Sequence, residues 1–128
     1  MSHRLVEPGV LLVIYESAED MRPDRQQALH REIEEQLASG PVAIVFFVRR
    51  VSVVDPSVPA AWAEVAKQRA PRLCAMAVAS TSMAVRAAAR AFSVGTTLRR
   101  IEIDVQAFQS EDEALAWARA RREAACGR

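Results

Sequence analysis

The chain has 128 residues, about half of them apolar, and a formal charge of +1. That length suits one domain around a single core, and the apolar content argues against intrinsic disorder. The near-zero charge gives no electrostatic case for nucleic acid or an anionic membrane. The longest apolar runs, Val10–Tyr15 and Val42–Val48, fall far short of the ~20 residues of a spanning helix. The opening MSHRLVEPG has no apolar signal-peptide core. A cytoplasmic protein without membrane insertion is therefore expected. Cys74 and Cys126 match no metal-ligand spacing and are too few for a disulfide framework. Cys74, in the run LCAMAVA, is expected to pack as a small hydrophobe, and Cys126 to have no structural role. His3 and His30 have no Cys or His nearby, so neither a metal nor a cofactor is expected.

Residues 5–10 join two short apolar stretches through Pro8-Gly9. Pro fixes φ at the second turn position and Gly accepts a positive φ at the third, which predicts a hairpin whose second strand covers 10–16. After a polar loop, Pro23 suits a first helical turn. Leu29, Ile33 and Leu37 then recur every four residues, predicting a helix over 23–38 that stops at Gly40-Pro41. Residues 42–48 (VAIVFFV) are apolar on both faces, as in a strand covered on both sides. The stretch VSVVDPSVPAAW leads into a second helix expected over 59–68, with Trp62, Val65 and Ala66 inward. A buried strand follows over 72–79. A helix over 83–94 comes next, capped from the Ser80-Thr81-Ser82 cluster. Residues 101–108 alternate as an edge strand would. Ser110-x-x-Glu113 is a capping box opening a last helix that presents Leu115, Trp117 and Ala118 to the core. The order β-β-α-β-α-β-α-β-α predicts one α/β domain over 1–128. Its core spans about 4–120 and residues 121–128 fray. Its mostly parallel sheet has four to five strands, with an N-terminal hairpin and about four helices.

No Gly-rich phosphate loop follows a strand and no Gly-x-Ser-x-Gly elbow is present, so the common nucleotide and hydrolase signatures are missing. No catalytic residue is assigned. Arg49 and Arg50 after the central strand, and Arg86 and Arg90 one helical turn apart, are candidate anion contacts together with Ser80, Thr81 and Ser82. Solvated surface charge is the simpler account of the arginines. Asp55 and Ser57 have two readings. Either one caps the following helix, or the exposed hydroxyl at a helix start accepts a phosphoryl group, adding roughly −1.5 to −2 charges there.

The hairpin, first helix, buried strand and Asp-x-Ser opening a helix together resemble the STAS domain, the family of bacterial anti-anti-sigma factors and sulphate-transporter cytoplasmic domains. The likeness covers roughly 4–120 and rests on residues 16–37 and on VSVVDPSV. The C-terminal half, with STSMAVRAAARAF and FQSEDEALAW, looks closer to a divergent bacterial branch. Asp55 matches the family's Asp and Ser57 its phosphorylatable hydroxyl, whereas Pro56 replaces a small residue and Val58-Pro59 replace Gly-Leu. Phe46-Phe47 stand where relatives often carry an Asp.

The resemblance implies a non-enzymatic interaction domain in bacterial signalling. Its loop, with Asp55, Ser57, Val58, Trp62, Arg49 and Arg50, would contact a protein partner such as an anti-sigma-type kinase. The residues also leave open a small-ligand module (nucleotide, anion or lipid) with a site beyond the strand C-termini, or homo-oligomer formation through the edge strand 101–108.

Overall fold

The computed structural model describes residues 2–38 and 40–126, the side chains of 125 and 126 excepted. Five strands form one sheet in the order β1 (Ser2–Glu7), β2 (Val10–Tyr15), β3 (Val42–Val48), β4 (Leu73–Ala79) and β5 (Asp104–Phe108). The β1–β2 pair is antiparallel and every other pair is parallel. The hairpin turn is the predicted one, with Gly9 at φ +85°. A Cβ there would meet only the guanidinium end of the flexible Arg122 side chain, which can move aside, so it is the positive φ that calls for glycine.

The helices are α1 (Pro23–Ala38), α2 (Ser57–Arg69), α3 (Met83–Leu98) and α4 (Glu111–Arg121). Strands laid down in sequential order and joined by crossovers of one hand must place the three connecting helices on the same face. They do. Leu11, Val13, Tyr15, Ile44 and Phe46 pack with Leu29 and Ile33 of α1, Trp62 of α2 and Val85 of α3. The alternate side chains, Val10, Leu12, Val45 and Phe47, form a second core with α4. That face is built from small residues: Ala75, Ala77 and Ala79 of β4 meet Ala114 and Ala118 of α4, all buried. Small side chains on both sides let α4 lie close to the sheet. Full burial of 42–48 on both faces is thus explained.

Several boundaries differ from the sequence reading. α2 begins at Ser57, two residues before the expected Pro59, because the Asp55 carboxylate organises the chain ahead of the prolines. Its inner face is Val58, Trp62 and Ala66, with Val65 only partly buried. α3 runs past Gly95 to Leu98, where Thr96 and Thr97 hydroxyls donate to the Ser93 carbonyl. β5 begins at Asp104, since Ile101 and Ile103 pack on the core without pairing to β4. In α4 the fully buried residues are Ala114 and Ala118, while Leu115 and Trp117 flank the core. The chain continues from α4 into a π-helical turn, Arg122–Cys126, where fraying from 121 is expected. Cys74 packs in the second core, as expected, and is disulfide-bonded, which the sequence reading does not anticipate. The expectation for Cys126 lies outside the described side chains.

Candidate functional site

Residues 51–56 form no strand between β3 and α2. Val51 is buried, Val53 is exposed, and the loop delivers Asp55 to the start of α2. Asp55 Oδ1 accepts the Ser57 backbone N–H at 2.9 Å and the Ser57 hydroxyl at 2.7 Å. The Asp55 carbonyl accepts from the Val58 N–H at 3.0 Å. Pro56 has no N–H to satisfy and holds φ at −59°, which fits the residue before the helix. These donors, the backbone amide foremost, hold the Asp55 carboxyl below the usual carboxylate range. The helix is therefore capped by Asp55. Ser57 caps nothing: it is an exposed residue and its hydroxyl donates to Asp55.

Ser57 opens onto a groove of about 380 Å³ between α1 and α2, whose walls include Gln26, Gln27, His30 and Arg31 of α1 and Ala61 of α2. The two helices run side by side in the same direction. The His30 ring lies 4.5 Å from the Trp62 ring, and one turn further Glu34 pairs with Arg69. His30 Nε2 is buried without a hydrogen-bond partner, and burial lowers the pKa of the imidazole. Beneath the groove runs a hydrogen-bonded relay. Trp62 Nε1 donates to the Tyr15 hydroxyl at 3.2 Å, Tyr15 donates to Gln26 Oε1 at 2.9 Å, and Gln26 Nε2 donates to the Asp20 carbonyl at 3.2 Å. Burial pushes the Tyr15 pKa up to about 12.

On the other side of α2 a cavity of about 80 Å³ lies between α2, α3 and the sheet. Val58, Trp62, Val85, Ala89, Phe92 and Met76 are among its apolar walls. Tyr15 also lines it, and its hydroxyl is already committed to Gln26 and Trp62.

The remaining predicted site residues do not converge on this place. Val58 and Trp62 are buried and face the cavity, so neither offers its side chain to a protein surface. Arg49 forms a two-nitrogen ion pair with Glu111 at 2.9 and 3.0 Å and a further one with Glu16 at 3.1 Å, tying the end of β3 to α4. Arg50 is exposed at φ 49°, 3.8 Å from Glu16. Ser82 Oγ caps α3 by accepting from Val85 N, and Ser80 Oγ accepts from Ser82 N. Arg86 donates to the Ser80 carbonyl at 2.8 Å, while Thr81 and Arg90 are exposed. The cluster 80–86 is accounted for by its own capping bonds. Sequence reasoning missed the groove and the cavity, since both arise between helices. The available signal was that α1 and α2 follow successive parallel strands and so must be neighbours.

Among the described residues, no group of three or more His, Cys, Asp or Glu side chains could hold a metal, and no helix is long and apolar enough to cross a membrane. Comparison with curated proteins returns no match, and neither does comparison with solved structures. The family model described as SpoIIAA-like matches residues 12–119, from β2 through most of α4. The matched span contains the parallel sheet, the Asp55–Ser57 pair and the groove beside it, and on that match the chain belongs to the SpoIIAA-like family.

Proposed function

We propose that the chain is a non-enzymatic regulatory domain of bacterial signalling, acting in the cytoplasm by partner switching at the start of α2. The observation that carries this reading is the exposed Ser57 hydroxyl, hydrogen-bonded to Asp55 on a stiff loop at a helix N-terminus. In the unmodified state the loop, with exposed Val53 beside Asp55, contacts an anti-sigma-type serine kinase. Ser57 Oγ attacks the γ-phosphorus of the kinase's ATP, the bond to ADP breaks, and the hydroxyl proton leaves to the kinase's base. The new dianion lies next to the Asp55 carboxylate, and the concentrated negative charge releases the partner. Incubation with such a kinase and phosphate mapping by mass spectrometry test this. Phosphate on Ser57, with loss of complex on sizing chromatography, is expected. Modification elsewhere would remove the switch.

A second reading rests on the cavity between α2 and α3. Of nucleotide, anion and lipid, its apolar walls suit only the last, because no wall offers an uncommitted donor or a charge. At about 80 Å³ it takes a few methylene groups and not a whole lipid. Trp62 lines it, so short-chain alcohols and fatty acids should change its fluorescence saturably. Ala89→Leu, which fills the cavity, should abolish that change. A response that is unsaturable or unaffected by the substitution counts against this reading.

A further inference from the structure

The groove beside Ser57 holds a cation whose role the ion-pair network does not explain. Arg22 and Arg25 of the same region pair with Asp24 and Asp20, and Arg69 pairs with Glu34. Arg31 makes no ion pair among the described residues, yet its side chain lines the same groove as Ser57. Arg31 lies one turn beyond Gln27 on α1, and helical side chains lean toward the N-terminus of their helix. Because α1 and α2 run in the same direction, that lean brings the guanidinium toward the first turn of α2. His30 faces the same groove with a buried ring nitrogen that has no hydrogen-bond partner.

Phosphorylation of Ser57 removes the hydroxyl proton that now binds Asp55 and sets a dianion against that carboxylate. Repulsion turns the phosphoryl group away from Asp55. The groove is the adjoining space that offers a cation. We propose, resting on the partner-switching reading, that Arg31 is the internal counter-cation that donates hydrogen bonds to a phosphoryl group on Ser57, clamping α1 to α2 across the groove. A guanidinium presents paired N–H donors that match two phosphate oxygens, which a solvated lysine would not do as well. The modification then has two surface effects. It adds negative charge at the loop, and it withdraws Arg31 from the face a partner would touch.

The test needs no kinase. Phosphoserine is installed at position 57 during translation, and its second ionisation, ordinarily near pH ~6, is followed by ³¹P NMR. The full-length protein is compared with Arg31→Gln and Arg31→Lys. Arg31 is exposed, so these variants should fold, and thermal melting of their unphosphorylated forms checks this. The phosphate pKa in the parent protein should lie about half a unit or more below that in the Gln variant, with Lys between them. Asp55→Asn, which removes the neighbouring carboxylate, should lower the phosphate pKa and shows that the probe senses local charge. Equal phosphate pKa values in the parent and Arg31→Gln would overturn the clamp. A kinase that ignores Ser57 would sink partner switching while leaving this measurement standing, so the two failures are separable.

Discussion

Tyr15→Phe tests the buried relay that supports both sides of α2. The substitution deletes one oxygen and leaves the ring, which stacks near Phe46 at 6.2 Å, in place. Two groups lose their partner at once. Trp62 Nε1–H and Gln26 Oε1 belong to residues that are each 4% exposed, so water cannot readily replace the hydroxyl. An orphaned buried polar group costs about 1–3 kcal/mol. The 3.2 Å Trp62 bond is long and belongs at the low end of that range, while the 2.9 Å Gln26 bond belongs nearer the middle. Relief from burying the phenol oxygen offsets part of the sum, leaving a net loss of about 2–3 kcal/mol. Urea unfolding followed by far-UV circular dichroism should show it as a midpoint lowered by about 1–2 M, with unchanged slope. Adding Gln26→Met removes one of the orphans, so the double variant should be more stable than the sum of the single losses predicts. A loss below about 1 kcal/mol, or strict additivity, would refute the relay. There is also an alkaline signature. The folded pKa of about 12 exceeds the unfolded value of 10.0, so the unfolded chain ionises first as pH rises. The contribution is complete below pH 10.0 and falls away toward about 12. This decline, on the order of 2–3 kcal/mol, should be absent from Tyr15→Phe.

Three further outcomes follow from other contacts. Burial lowers the His30 pKa, so the unfolded chain takes up the proton first and stability falls as pH drops below 6.5; replacing His30 with Phe should flatten that limb of a Tm-versus-pH profile. Asp55→Ala removes the acceptor for two donors at the start of α2 and should lower Tm modestly, with Asp55→Asn milder. Because the folded pKa of Asp55 is depressed, its stabilisation is present above 3.8 and lost as pH falls through the folded value, so the Tm gap between parent and Asp55→Ala should close in acid. Ala118→Leu forces a larger side chain between α4 and the alanines of β4, with an expected loss of about 1–3 kcal/mol measured by thermal unfolding.

Which parts of this architecture were legible follows from where their causes lie. Both ends of 23–38 and 42–48 are legible because Pro23, Gly40-Pro41 and an unbroken apolar run are local signals. α3 runs four residues beyond the expected end at 94, through Gly95 to Leu98. The helix continues since Thr96 is buried, a tertiary circumstance, and its hydroxyl is satisfied within the helix by the Ser93 carbonyl. The edge strand is shorter than its alternation predicts for a related reason. Ile101 and Ile103 carry the alternation of a strand, but it serves packing on the helices and no pairing with β4. The second fold-level cause was not visible at all. Nothing in the local stretch APRLC or in the composition distinguishes a free Cys74 from the disulfide-bonded one observed.

The site shows the same division more sharply. Local chemistry puts Asp55 and Ser57 at a helix start, and the structure gives the cap and the exposed residue to different members of the pair. Asp55 takes the capping role, which frees Ser57 from it. The prolines that displace the family's usual residues strengthen this arrangement. Pro56 holds the turn that lets one carboxylate oxygen reach both the amide and the hydroxyl, and Pro59 occupies the first turn of α2, where a missing N–H is tolerated. Rigidity at this loop lowers the entropy a partner must remove on binding. It also fixes the direction in which a new charge can turn: away from Asp55, across the groove, toward Arg31. Residues 31 and 57 are separated by a strand and a loop in sequence, so no spacing rule links them. Only the parallel packing of α1 on α2 does, which is why the loop could be read from the sequence and its counter-charge could not.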